Sequence, residues 1–287
     1  MATVDWVRLL LLAAIWGGSF VFLRVVSPAL GPIVTADLRV LIAAVALVLY
    51  LRAIGLAVHW RRFGRHYLVV GIFNAALPFS FFAFAALHIP ASYSAILNAT
   101  SPLFGALFSA LWLHEKITGR KIAGFALGIS GVALVTQLGA GGFGAMALWG
   151  MAACLGAALC YGVGGTYAKA FAGGANPKAI ATASQLLASV LLLPFTPLAP
   201  PPGPVTTLVV INMVVFSLSC SGLAFLLYFR LIADIGSTKA LTVTFLMPAF
   251  TMIWAAIFLG EGVTMQMIAG SVLILCGTGL VVVQKKG

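Results

Sequence analysis

Two charged side chains stand inside an otherwise apolar stretch, Ile33–Leu51: Asp37 and Arg39. Arg39 lies six residues in, roughly 9 Å along a helix at 1.5 Å per residue. A guanidinium there could hold a carboxylate through a bidentate pair of charge-assisted hydrogen bonds. The two plainer readings are that Arg39 extends outward to the nearest polar layer or pairs with the neighbouring Asp37. Asp37 is also the candidate for carrying a coupling proton.

Further polar groups cluster beside prolines. Asn98, Thr100, Ser101 and Pro102 sit together, and a similar stretch holds Thr242, Thr244 and Pro248. Asn74 precedes Pro78 by four residues, and Ser217, Ser219, Ser221 and Gly222 form a fourth patch. A proline removes one backbone hydrogen bond and frees a carbonyl, so Pro78, Pro102 and Pro248 are candidate hinges. Asn74, Asn98, Thr100, Ser217, Ser221 and Thr244 are candidate substrate-binding groups. The alternative role of the hydroxyls beside Pro102 and Pro248 is to cap the freed carbonyls, and that of the serines near Ser217 is to pack helices. Trp16 and Tyr161 lie beside glycines and could stack on a substrate; Tyr93 and Tyr228 could do the same or anchor at an interface.

The elements that must position these groups follow from composition. The chain has 287 residues, 62% hydrophobic and 7% charged, with mean hydropathy +1.15. A soluble domain of this length carries far more charge. Runs of roughly 20 apolar residues match the bilayer core, and they lack the polar alternation of barrel strands, so they are expected to be helices. Ten spans are expected: Trp6–Val26, Ile33–Leu51, Tyr67–Leu87, Ser92–Leu113, Lys121–Leu138, Ala145–Phe171, Lys178–Phe195, Val205–Ile232, Thr238–Leu259 and Thr264–Val283. The net charge of +11 does not indicate nucleic acid, because the basic residues are scattered between apolar runs. Lys and Arg fall at the N-terminus, in the even-numbered loops and at the C-terminus, which by the positive-inside rule puts both termini in the cytoplasm. Cys154, Cys160, Cys220 and Cys276 all lie in apolar runs and read as packing residues.

The chain also repeats itself. Ile89–Gln137 aligns without a gap on Ile235–Val283 at a spacing of 146 residues. Pro102 falls on Pro248, Glu115 on Glu261, Thr118 on Thr264, Gly124 on Gly270 and Gly131 on Gly277. Trp16-Gly17 falls on Tyr161-Gly162 and Arg24 on Lys169 at 145, and Arg39 on Gln185 at 146. The halves are taken as 1–143 and 144–287. With five spans each, the second half enters the membrane upside down relative to the first. Inverted repeats are the architecture of alternating-access carriers, and paired helix interruptions in the two halves point to the binding region. The glycines of spans five and ten read as close-packing residues.

The run Leu226–Glu261, with its LYFRLI, IGSTKA, PAF and LGE segments, resembles the second half of EamA-type members of the drug/metabolite transporter superfamily. AAIWGGSF at Ala13–Phe20 resembles the opening of the first half. The resemblance implies an all-α membrane protein, ten helices in two inverted five-helix repeats around a central cavity, lined by spans three, four, eight and nine. It also implies transport of small metabolites, including amino acids. Smaller multidrug relatives couple export to protons through a carboxylate deep in the first span; Trp6–Val26 has none, so facilitated diffusion or exchange is expected unless Asp37 serves.

No phosphate loop, nucleophile elbow or metal-ligand cluster is present in the sequence, so no catalytic residue, cofactor or metal is expected. The expectation is a monomeric carrier in a cell membrane, of the bacterial inner-membrane kind. Its partners would be the bilayer and a small solute, with no nucleic acid. It would most plainly export amino acids or similar compact polar solutes. The alternatives are multidrug or cation efflux, nucleotide-sugar-like exchange, or, outside transport, a membrane scaffold or intramembrane enzyme.

Overall fold

The computed structural model describes residues 2–136, 144–235, 240 and 242–282. The expected span ends at Leu138, Thr238 and Val283, the proposed boundary at 143 and the basic residues Lys239, Lys285 and Lys286 lie outside them. Among the described residues all regular structure is helical. Among the described residues nine helices are long and apolar enough to cross a membrane: α1 (Thr3–Leu30), α2 (Pro32–Ala53), α3 (Trp60–His88), α4 (Ala91–Trp112), α5 (Gly119–Thr136), α6 (Ala145–Phe171), α7 (Pro177–Leu198), α8 (Thr207–Tyr228) and α10 (Met265–Val282). Between the last two lies a shorter apolar helix, α9 (Val243–Leu259). α7 ends in a tight turn over Leu193–Phe195, and helix continues from α8 to Ile235.

Two helices are longer than expected. α1 runs through Ser27–Leu30, with Pro28 inside its last turn, instead of ending at Val26. The connecting segment before α8 lies against this end, where Gly203 N donates to Ala29 O at 3.2 Å. Gly31, at φ 74°, reverses the chain and Pro32 opens α2 with its φ already set for a helix. α3 begins at Trp60, seven residues before Tyr67, because the basic segment WRRFGRH winds as two amphipathic turns that bury Phe63 and His66.

Helix packing follows the 146-residue register. A Cβ on Gly124 of α5 would meet Gly277 O of α10 at 2.6 Å, and one on Gly131 would meet Gly270 O at 2.9 Å. Exchanging each residue for its partner in the other half turns the first pair into the second. α1 lies on α9 through Gly17, whose Cβ position is 3.0 Å from Met247 O. α6 lies on α4 through the matching Gly162, 2.8 Å from Gly105 N. Thr251 Oγ1 donates to Gly17 O at 2.9 Å and Thr166 Oγ1 to Gly105 O at 3.2 Å. Water offers no competing solvent in lipid and apolar burial gives little drive between helices, so close backbone approach of this kind carries the association.

Candidate functional site

Two helices lose their α-helical winding at matching places. α3 forms a π-turn over Ile72–Ala76 and α8 one over Ser217–Leu223; a shift of 146 lays the first onto residues 218–222. Their causes differ. In α3 the ring of Pro78 opposes the carbonyl of Asn74 four residues back and forces the extra residue into the turn. In α8, Ser217 Oγ donates to Met213 O at 2.8 Å and Ser219 Oγ to Val215 O at 2.6 Å, and such back-bonding loosens the helix. π-turns of this kind recur at functional sites because they redirect side chains and backbone groups.

The second helix of each half is packed on the π-turn of the other. α2 brings Arg39 to the turn of α8, where its Nε donates to Ser221 Oγ at 2.9 Å. α7 runs beside the turn of α3, with Gly71 packed on Ser184 O, and sends Gln185 Nε2 to Ser221 O at 3.2 Å. Arg39 and Gln185, equivalent in the repeat, therefore meet on one serine. The guanidinium carbon of Arg39 is 3.7 Å from the centre of the Phe79 ring and 4.5 Å from that of Phe216. These aromatic faces offset part of the cost of holding a cation within the membrane, with a desolvated contact contributing about 2 kcal/mol. Arg39 is 6% exposed. None of the ion pairs among the described residues includes it, and its terminal nitrogens have no hydrogen-bond partner among them.

A pairing of Arg39 with Asp37, the alternative reading, does not form among the described residues. Residues two apart on a helix point to different sides. Asp37, 3% exposed, instead accepts a hydrogen bond from Ser189 Oγ of α7 at 2.6 Å.

Other expected site residues join this cluster. Trp16 Nε1 donates to Cys220 O at 3.1 Å, next to Ser221, and its ring lies 5.2 Å from that of Tyr228. Tyr161 packs with Ala36, Val40 and Phe79 and meets the Phe82 ring at 6.1 Å. Asn74, in the first π-turn, lies against Gly164 of α6, and its Oδ1 is buried without a partner. Gln185 Oε1 is buried and unpartnered too. Sequence reasoning did not name Gln185 as a site residue; its register with Arg39 was the available signal.

Several of the remaining residues make local hydrogen bonds. α4 breaks between Asn98 and Ser101. There Thr100 Oγ1 donates to Leu97 O at 2.6 Å, Ser101 Oγ to Asn98 O at 2.6 Å, and Thr278 of α10 donates to Ala99 O at 3.1 Å. Pro102 opens the second piece of α4. Pro248, by contrast, sits within a continuous helix, where Thr251 Oγ1 takes up the Met247 carbonyl. Ser217 is spent on its back bond, and Thr244 is half-buried in the first turn of α9.

The two glutamates of the repeat carry one more matched feature. Arg24 Nε stands 3.4 Å from Glu261 Oε1, and Lys169 Nζ 3.0 Å from Glu115 Oε1. Each pair joins the two halves. Arg24 also donates to Ala86 O at 2.6 Å, Glu261 accepts from Ala91 N at 3.1 Å, and Lys121 reaches Glu115 Oε2 at 3.3 Å.

The sequence profile of the EamA-like transporter family matches residues 6–137 and again residues 148–283. The chain belongs to that family. Among relatives of this EamA-like transporter, an uncharacterized transporter of Bacillus subtilis, YvbV, is 26% identical over 96% of this chain and 90% of its own length. A probable amino-acid metabolite efflux pump of Escherichia coli is 24% identical over 96% and 94%. A probable terminal-alkyne amino-acid exporter of Streptantibioticus cattleyicolor is 26% identical over 68% and 65%. A solved crystal structure covering 98% of this chain and 96% of its own superposes with a TM-score of 0.66 at 18% identity, a likeness of fold alone. The chain is thus an all-helical, multi-pass membrane transporter of the EamA type.

Proposed function

We propose that this transporter exports amino acids or similarly compact zwitterions by alternating access, with Arg39 holding the substrate carboxylate. The observation that carries the reading is a buried guanidinium, fixed by Ser221, Phe79 and Phe216, whose terminal nitrogens face no carboxylate among the described residues. The buried carbonyl oxygens of Asn74 and Gln185 supply acceptors suited to a substrate ammonium. A positively charged centre disfavours cation efflux. The names of the two amino-acid exporters among the relatives agree with this reading. The matched ion pairs, Arg24–Glu261 at one end and Lys169–Glu115 at the other, suit two clasps that open alternately.

The test is flux of labelled amino acids into proteoliposomes. A charge-assisted hydrogen bond contributes about 1.5–3 kcal/mol, so Arg39→Gln should weaken substrate affinity roughly tenfold to a hundredfold. Arg39→Lys should recover only part, since an ammonium lacks the planar fork. Binding of a zwitterion unchanged in Arg39→Gln refutes the assignment.

A further inference from the structure

We propose that the cleft between α2, α3 and α7 at the basic end of the molecule binds an anionic phospholipid of the adjoining leaflet. The cleft has a volume of about 300 Å³. Leu51 of α2, Leu56 and Val58 of the connecting segment and Leu186 of α7 form an apolar floor, while Arg52 and the exposed Trp60 stand at its edge. Thr182, which also lines it, has its hydroxyl turned to Lys178 O at 2.9 Å. The floor suits acyl methylenes and offers nothing to a compact polar solute.

Charge selects the headgroup. Arg52, Arg61, Arg62 and Arg65 are all exposed and fall within fourteen residues. The chain has no acidic residue between Asp37 and Glu115. Glu115 is held by Lys121 and Lys169, and Asp5 and Asp234 by Arg8. Arg62 lies over the Phe63 ring and Arg65 donates to His66. The side chains of Arg52 and Arg61 make no hydrogen bond or ion pair among the described residues. A guanidinium matches a phosphodiester through two parallel N–H donors, and basic pockets between helices at this depth favour anionic headgroups. Trp60 stands where an interfacial indole is expected, between headgroup and chain.

Tryptophan quenching by brominated lipids in phosphatidylcholine proteoliposomes tests the site. The Trp60 signal is taken as the difference between wild type and Trp60→Phe, and the Trp6 signal likewise from Trp6→Phe. At equal mole fraction, brominated phosphatidylglycerol should occupy the Trp60 position at least about fivefold more than brominated phosphatidylcholine, the ratio for about 1 kcal/mol from one engaged arginine. Trp6, exposed at the same end, should show little preference. Arg52→Gln with Arg61→Gln should remove the preference at Trp60. Equal quenching of Trp60 by the two lipids in the wild type overturns the proposal, with no variant of the arginines needed. So does an equal preference at Trp6, which would mean a diffuse anionic layer. Abolition of the Trp60 preference by soluble glycerol phosphate would also overturn it, by making the site one for free anions.

Discussion

Arg24 and Glu261 meet at 3.4 Å where α1 passes the end of α9, and the repeat places Lys169 and Glu115 in the same relationship at the other end of the molecule, at 3.0 Å. A cation from one half is held by an anion from the other in both places. The exchange of partners is the same one that relates Gly124–Gly277 to Gly131–Gly270. Two clasps of one chemistry at opposite ends allow one to open at the expense of the other.

Neutralising one clasp should therefore bias accessibility. With Cys154, Cys160 and Cys276 replaced by alanine, the buried Cys220 beside Ser221 reports on the centre. Glu261→Gln should speed its labelling by an impermeant thiol reagent from the Glu261 side, and Glu115→Gln should slow it. A partly exposed ion pair contributes about 1 kcal/mol, so the change should be about fivefold or less. Equal effects of the two substitutions would mean that the pairs are only structural.

Glu115 lies between helices, and the Lys169 and Lys121 ammonium groups hold its carboxyl below the ordinary range against the opposing effect of burial. A depressed carboxyl contributes stability that is present above its unfolded pKa and lost as pH falls through the folded one. Melting of the detergent-solubilised protein should thus show a constant gap between wild type and Glu115→Gln from neutral pH down to about 5. The gap should close under more acid conditions. A gap that instead grows on acidification would contradict the pairing.

The glycine seam separates tight from open positions on one helix. A Cβ on Gly277 would lie 2.5 Å from Gly124 O, whereas one on Gly279 meets nothing within 4 Å. Gly277→Ala should cost about 1–3 kcal/mol through forced separation of α5 and α10, and Gly279→Ala should be close to neutral. Similar melting of the two variants would show that the helices do not approach this closely.

These seams were legible in the sequence because glycines, a proline and glutamates kept one ungapped register. Hydropathy located the spans, and the register set Gln185 opposite Arg39 without naming it a site residue. Pro78 and Pro102 marked α3 and α4 as interrupted; what pattern could not show was the unwinding of α8, which holds no proline. A π-turn depends on one displaced carbonyl, from Pro78 in α3 and from serine back bonds in α8, and it leaves no periodic trace. Side-chain choice was equally hidden. Thr100 and Asn98 look like site residues by type, yet a broken α4 offers local partners first. The proximity of Asp37 to Arg39 in sequence suggested a pair that the helix geometry forbids.

That last correction changes what Asp37 can do. With Arg39 facing Ser221, the buried carboxyl of Asp37 is left with the neutral hydroxyl of Ser189, across the boundary between α2 and α7. An ionised carboxyl only accepts hydrogen bonds, whereas a protonated one can also donate. Gaining a proton would therefore alter a contact that joins the two halves. Asp37 is then expected to couple transport to protons, in contrast to the exchange or facilitated diffusion that an acid-free first span suggests. The measurement is substrate accumulation in proteoliposomes under an imposed pH gradient at zero membrane potential. Wild type should accumulate substrate against its gradient. Asp37→Asn should lose that accumulation while retaining exchange of internal for external substrate. Accumulation that persists in Asp37→Asn, or is absent from the wild type, would exclude Asp37 as the coupling group.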